Sequence, residues 1–295
     1  MPLSLPTERS SKPSPCSSGT LFVVATPIGN MEDITLRAIR TLTEVDLIAA
    51  EDTRQTRKLL SRYKISTPFV SYHDHNKEKR TPELVQKLKT GTSIALVTDS
   101  GTPSISDPGY CLVRAAIQEA VPVVPIPGAS AVVTALSVCG LPTDSYVFVG
   151  FVPRKSGKRK LLLDRLILEP STLIFYESPK RLLDLMREIL DVMGNREAVV
   201  ARELTKLHEE VLRGPLNTMV KEISARLSLK GECTLLVAGW HKAGEVDLET
   251  IRNHLRRLGM EKALSLSDLV KEVARKYSLS RKVVYEEALK LEKEG

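Results

Sequence analysis

The sequence predicts an α/β protein: two consecutive α/β domains, the first on a mostly parallel sheet and the second on a mixed one, then a small helical domain. Three observations predict it. From residue 20, short β-rich runs alternate with amphipathic stretches, which implies a parallel sheet covered on both faces. After residue 128, neighbouring β-rich runs lack long crossovers, so the second sheet is expected to be mixed. From residue 246 the apolar spacing is helical throughout. A length of 295 residues also exceeds one ordinary domain.

Residues 1–19 are rich in Ser and Pro and lack an apolar signal core, so a disordered tail is expected. The first domain spans 20–127. Its strands are predicted at 21–25, 45–50, 69–72, 94–97 and 122–126, each a short β-rich run. Its helices are predicted at 34–42 (apolar at Ile34, Leu36, Ile39 and Leu42), 54–63, 78–88 and 109–119. "PIPGAS" at 125–130 reads as a hinge. The second domain spans 128–241, with helices at 131–138, 158–168, 179–193 and 216–227. Its strands fall at 146–150, 172–176, 198–201 and 233–238, with an extended piece at 211–213. The third domain, 246–295, holds helices at 248–258, 266–277 and 280–292 with helix-turn-helix-like spacing. Ser267 with Asp268 marks one helix start, and Ser280 an N-cap.

Composition narrows the function classes. The chain is 42% hydrophobic but only 4% aromatic, so aliphatic side chains must fill the cores. A net charge of +7 favours an anionic partner, nucleic acid first. Cys16, Cys111, Cys139 and Cys233 lie too far apart for a CxxC pair or zinc spacing, so a reduced cytoplasmic protein with no metal is expected. No apolar run approaches the ~20 residues that span a bilayer, so no membrane is expected. The dinucleotide glycine fingerprint, the Walker A loop and the hydrolase nucleophile elbow are absent from the sequence.

What remains is a series of unusual loops at predicted strand ends, where open α/β sheets bind ligands. After the first strand, "ATPIGN" sets a tight turn with Pro27 and Gly29. After the second, "AEDTR" places Glu51, Asp52 and Arg54 together; Asp52 also suits a helix cap. "YHDHN" flanks an aspartate with His73 and His75, which suits metal binding, proton transfer or plain polar surface. "VTDSGTPSISDPG" holds more turn residues than a turn needs. "PGAS" ends in Ser130, "YESPKR" begins with Tyr176, and "ARELTK" contains Arg202, Glu203 and Leu204.

Eight ordered blocks, including "VVATPIGNMEDITLRAIRTL", "AAEDTRQTRKLL", "LVTDSGTPSISDPG", "FYESPKRL" and "ARELTKLHEEVLRGPL", resemble the tetrapyrrole methylase superfamily. They are most similar to its bacterial small-subunit ribosomal RNA cytidine 2′-O-methyltransferases. The resemblance runs from about residue 21 to 240. It implies the two-domain tetrapyrrole methylase fold, S-adenosylmethionine as methyl donor in a cleft, a homodimer, and 16S ribosomal RNA as substrate, in the decoding region of the small subunit. It puts Asp99, Ser100 and Gly101 where the superfamily has its cofactor loop, with backbone contacts at Gly101 and Ile105. Pro27, Ser130, Tyr176 and Leu204 are expected to line the same site.

A ribose hydroxyl is a poor nucleophile, and a base that polarises it contributes roughly 10²–10⁴-fold. Glu51, Asp52, His73 and Glu203 are the base candidates; Arg54 and Arg202 would orient phosphate or the developing alkoxide. Arg154, Lys155, Lys158, Arg159 and Lys160 form a basic run suited to RNA, or to a solvated loop. The tail adds Arg256, Arg257, Arg281 and Lys282. Two other readings stay open: a tetrapyrrole C-methyltransferase of the precorrin or sirohaem type, and a non-catalytic nucleic-acid-binding protein that uses the helical tail.

Overall fold

A computed structural model describes residues 18–226, 228–240, 248–261, 265–277 and 281–294. The expected tail up to residue 17, with Cys16, and the expected cap Ser280 lie outside the described residues. The chain divides into two compact units, Met1–Ser130 and Ala131–Gly295.

The first unit is a five-stranded sheet of β1 (Leu21–Val24), β2 (Leu47–Ala50), β3 (Phe69–Ser71), β4 (Ile94–Val97) and β5 (Val123–Ile126). The strand order is β3-β2-β4-β1-β5, and every pairing is parallel. Helices α1 (Leu36–Glu44), α2 (Thr53–Arg62), α3 (Lys77–Lys89) and α4 (Tyr110–Gln118) connect the strands. All four residues of β4 are buried, and alternation sends them to opposite faces. Ala95 and Val97 join the core of Leu42, Leu59 and Leu60, whereas Ile94 and Leu96 join that of Leu84, Leu88 and Leu112. Burial on both faces is why these strands read as continuous apolar runs. α1 begins two residues later than its apolar spacing predicts. Met31–Asp33 forms a short 3-10 turn, and the Thr35 hydroxyl caps α1 by accepting from the Ala38 amide at 3.1 Å.

The second unit opens with α5 (Ala131–Cys139) and is built on β6 (Tyr146–Phe151), β7 (Thr172–Glu177), β8 (Glu197–Arg202), β9 (Glu210–Pro215) and β10 (Cys233–Val237). Its order is β6-β7-β10-β8-β9; β6 and β7 run parallel and the other pairs antiparallel, so the sheet is mixed as expected. Helices α6 (Ser156–Leu166), α7 (Pro179–Met193) and α8 (Leu216–Ser224) lie between the strands in sequence.

Three further helices follow: α9 (Leu248–Glu261), α10 (Leu266–Tyr277) and α11 (Arg281–Glu294). They share one core with the second sheet, in which Ile251, Leu255, Val273 and Tyr277 join Leu185, Ile189 and Val192 of α7. α10 is capped by Ser265, not started by Ser267. The Ser265 hydroxyl accepts from the Asp268 amide at 3.2 Å and donates to the Asp268 carboxylate at 2.6 Å. Arg257 is turned inward: its side chain is 16% exposed and pairs with Asp164 of α6 at 2.8 Å. That basic residue of the tail therefore braces the fold instead of adding to the exposed positive surface.

Candidate active site

Because all five strands of the first sheet are parallel, their carboxyl ends share one edge, and the loops after β1, β2, β3, β4 and β5 emerge there. The loops after β2 and β4 latch each other. The Glu51 carboxylate accepts from the Asp99 amide at 3.2 Å and from the Thr98 hydroxyl, both on Oε2. In return the Asp99 carboxylate accepts from the Asp52 amide at 3.0 Å. The loop after β1 joins through Thr26. Its amide and carbonyl bond reciprocally to Gly101 at 2.9 and 3.0 Å, and its hydroxyl donates to the Thr98 carbonyl at 3.1 Å. Pro27 follows this bridge and is buried.

Gly101 adopts φ +82, where a side chain costs about 1–2 kcal/mol. Both its backbone groups already bond to Thr26, so what it offers a ligand is close approach. Ser104 and Ser106 also have positive φ, of 73 and 65, a strained run of the kind that clusters at ligand sites. Ile105 stands half exposed between them, and its amide reaches the Thr102 carbonyl at 3.4 Å.

The carboxyls here crowd one another. Asp107 is pushed up to about 7, by burial first and then by the Glu51 charge, with Asp99 and Asp74 adding and the Thr98 hydroxyl opposing. Asp99 is raised for the same two leading reasons. Asp52 behaves in the opposite way. It caps α2 by accepting from the Arg54 amide at 2.8 Å, and the Arg54 guanidinium grips the same carboxylate at 2.7–3.2 Å. Those bonds hold Asp52 down at about 2. His73, at the end of β3, has Nε2 3.3 Å from the Asn76 amide nitrogen, and its Nδ1 is buried without a partner. Among the described residues no three His, Cys, Asp or Glu side chains converge as a metal site.

Ser130 closes the first unit. Tyr176, Arg202, Glu203 and Leu204 belong to the second. Arg202 pairs with Glu210 at 3.0 Å and donates to the carbonyls of Lys230 and His208. Glu203 accepts from the Lys206 ammonium at 2.8 Å and the Glu232 amide at 3.0 Å, and the Lys206 bond holds its carboxyl low. Leu204 is buried. Tyr176 packs against Phe148 and Phe151. In the basic run Arg154, Lys155 and Lys158 are exposed. Arg159 is 11% exposed and grips Glu188 of α7 through two bonds of 2.5 Å, which takes it out of the exposed patch.

Thr98 and Asp107 are the site residues that motif reading passed over. Thr98 carried a signal: it is a hydroxyl at the end of an all-apolar strand, and it is buried. Asp107 stands just before the helix predicted from residue 109, and that helix begins at Tyr110 after Gly109, with no side-chain cap. The Asp107 carboxyl is thus left to the acidic group.

The family model described as Tetrapyrrole (Corrin/Porphyrin) Methylases matches residues 20–220. A protein of Halalkalibacterium halodurans named ribosomal RNA small subunit methyltransferase I is 54% identical over 221 residues, 75% of this chain and 76% of that one. A Synechocystis protein of the same name is 46% identical over 280 residues, 94% of this chain and all of that one. Among solved structures, the uroporphyrin-III C-methyltransferase of Thermus thermophilus in complex with S-adenosylhomocysteine has a TM-score of 0.52 at 19% identity, covering 75% of this chain and 97% of that one. The chain belongs to the tetrapyrrole methylase family and, within it, to the group of the ribosomal RNA small subunit methyltransferases I.

Proposed function

We propose that the chain transfers a methyl group from S-adenosylmethionine to small-subunit ribosomal RNA, at the 2′-hydroxyl of a cytidine in the decoding region of the 16S molecule. The near full-length likeness to relatives named for that RNA carries the reading. The site chemistry fits the donor. Its sulfonium and ammonium are cationic, and Glu51, Asp99 and Asp107 present an acidic group beside the close-approach backbone of Gly101. In the first unit, Pro27, Asp99, Ser100, Gly101, Ile105 and Ser130 would hold the donor. The donor supplies an electrophilic methyl; the chain supplies orientation and proton removal.

Among the base candidates, Asp52 is held by Arg54 and Glu203 by Lys206, so both are poor proton acceptors. His73 has its Nδ1 buried and its Nε2 beside Asn76. Glu51 takes both of its hydrogen bonds on one oxygen. It is therefore our base, with Arg54, 85% exposed, the cation able to swing toward a phosphate. The working form is a homodimer in the cytoplasm; no described helix is long and apolar enough to cross a membrane. Incubation with methyl-tritiated donor and undermethylated small subunits, followed by nucleoside mass analysis, tests the reading. A 2′-O-methylcytidine is expected; a methyl on a base, or on a tetrapyrrole instead of RNA, would refute it.

A further inference from the structure

Aromatic side chains make up only 4% of the chain, yet three meet at one end of the second sheet. Phe148 and Phe151 of β6 both lie edge-to-face with Tyr176 of β7, at centroid distances of 5.0 and 5.5 Å. In a regular strand, residues three apart point to opposite faces. Here the register slips: Phe148 pairs with Ile174 but Gly150 with Phe175, so Val149 is the extra residue of a bulge and Gly150 turns at φ 71. The bulge returns Phe151 to the face of Phe148.

Phe151 is 62% exposed, on an edge strand. Its backbone is fixed all the same. Arg181 of α7 donates to the Val152 carbonyl at 3.1 Å and pairs with the buried Glu177 at 2.9 Å. The chain then runs directly into the exposed Arg154, Lys155 and Lys158, and residues 151–163 contain no acid.

We propose that Phe151, backed by Tyr176, is a stacking platform for an unpaired nucleobase of the RNA substrate, and that Arg154, Lys155 and Lys158 hold the flanking phosphates. The inference rests on the RNA methyltransferase reading. A reaction on ribose leaves the base unread, and single-stranded bases are held by stacking on aromatic planes. The donor's adenine is also a nucleobase. The donor has no phosphate, however, so cations beside the ring match RNA.

Phe151→Ala, Phe151→Leu and Phe151→Trp in the full chain test this, using an rRNA fragment that spans the methylated nucleotide. Ala and Leu are expected to weaken RNA binding about tenfold, within the range of one lost base stack, and to raise KM. The salt dependence should not change, because no charge is removed. Trp should bind as Phe does, and calorimetric affinity for S-adenosylmethionine should stay constant in all three. Wild-type RNA affinity in the Ala or Leu variant overturns the platform. Parallel loss of donor affinity assigns the ring to the donor and overturns it. So does a shift in sedimentation with unchanged RNA binding, which would put a second copy there. If the unaltered chain transfers no methyl to rRNA, it is the methyltransferase reading that fails.

Discussion

At the strand ends of the first unit, Glu51, Asp99 and Asp107 crowd one another, the Thr98 hydroxyl sits between Glu51 and Asp107, and Arg54 is turned to Asp52. In the second unit three carboxylates each meet a cation: Glu203 has Lys206, Glu210 has Arg202 and Arg226, and Glu188 has Arg159. The same residue type therefore does two jobs. Paired carboxylates hold loops and helices in place, and Lys206 and Arg226 hold the Glu203 and Glu210 carboxyls low. Crowded carboxylates disfavour further charge, which suits a cationic ligand or a proton in transit.

The sharpest way to break this contrast is to remove one carboxylate from each unit. Glu51→Gln keeps the hydrogen-bond acceptor but not the base. It is expected to slow methyl transfer by about 10²–10⁴-fold at saturating donor. Glu203→Gln removes half of an ion pair, and its rate should stay within about tenfold of the parent, because no proton transfer is assigned to it. Single-turnover rates on small subunits decide the matter. Equal losses in the two variants, or a larger one for Glu203, would erase the distinction.

Cations can be compared in the same way. Arg159→Glu sets a carboxylate against Glu188 in a largely buried position. It should cost about 3 kcal/mol of stability, seen in thermal or urea unfolding. Lys158→Glu, one residue away and exposed, should cost less than about 0.5 kcal/mol. It should instead weaken RNA binding and reduce the salt slope by about one. If Lys158→Glu destabilises the chain and leaves the salt slope intact, the exposed patch is not an RNA contact.

Much of the fold was legible because the parallel sheet imposes a simple pattern. A strand such as β4, buried on both faces, is an uninterrupted apolar run, and α7 was legible from end to end because Pro179 opens it and Gly194 closes it. The acidic loops could be picked out because Gly, Pro, Asp and Ser pile up after those strands. What could not be read was pairing across the fold. Nothing local says that Arg159 turns inward to Glu188 while Lys158 does not, or that Arg257 meets Asp164 from 93 residues away. Asp107 escaped notice for the same reason: its neighbours Glu51 and Asp74 come from other strand ends. The aromatic group was hidden by the bulge at Val149, which breaks the alternation that strand reading relies on.

The smallest expected effect concerns pH and separates the units once more. An unfolded Asp107 would titrate near its ordinary 3.8, but in the folded first unit it titrates near 7. Between those values the folded unit holds a proton that the unfolded chain has released. Its stability therefore falls as pH rises through that window. With the shift discounted for partial exposure, the loss should be about 1–2 kcal/mol between pH 4 and pH 8. Asp107→Asn keeps a neutral side chain at every pH. It should match the parent at pH 4, exceed it at pH 8, and flatten the slope between them. Glu203 has the opposite sign: its depressed carboxyl contributes stability that is lost as pH falls below its ordinary 4.5. Glu203→Gln should therefore fall below the parent above pH 4.5 and converge with it as pH drops further. Urea titrations of both variants from about pH 2 to about pH 8 read the two limbs separately. An Asp107→Asn profile as steep as the parent's would mean that the crowded group carries its charge without cost, and the contrast with the second unit would go with it.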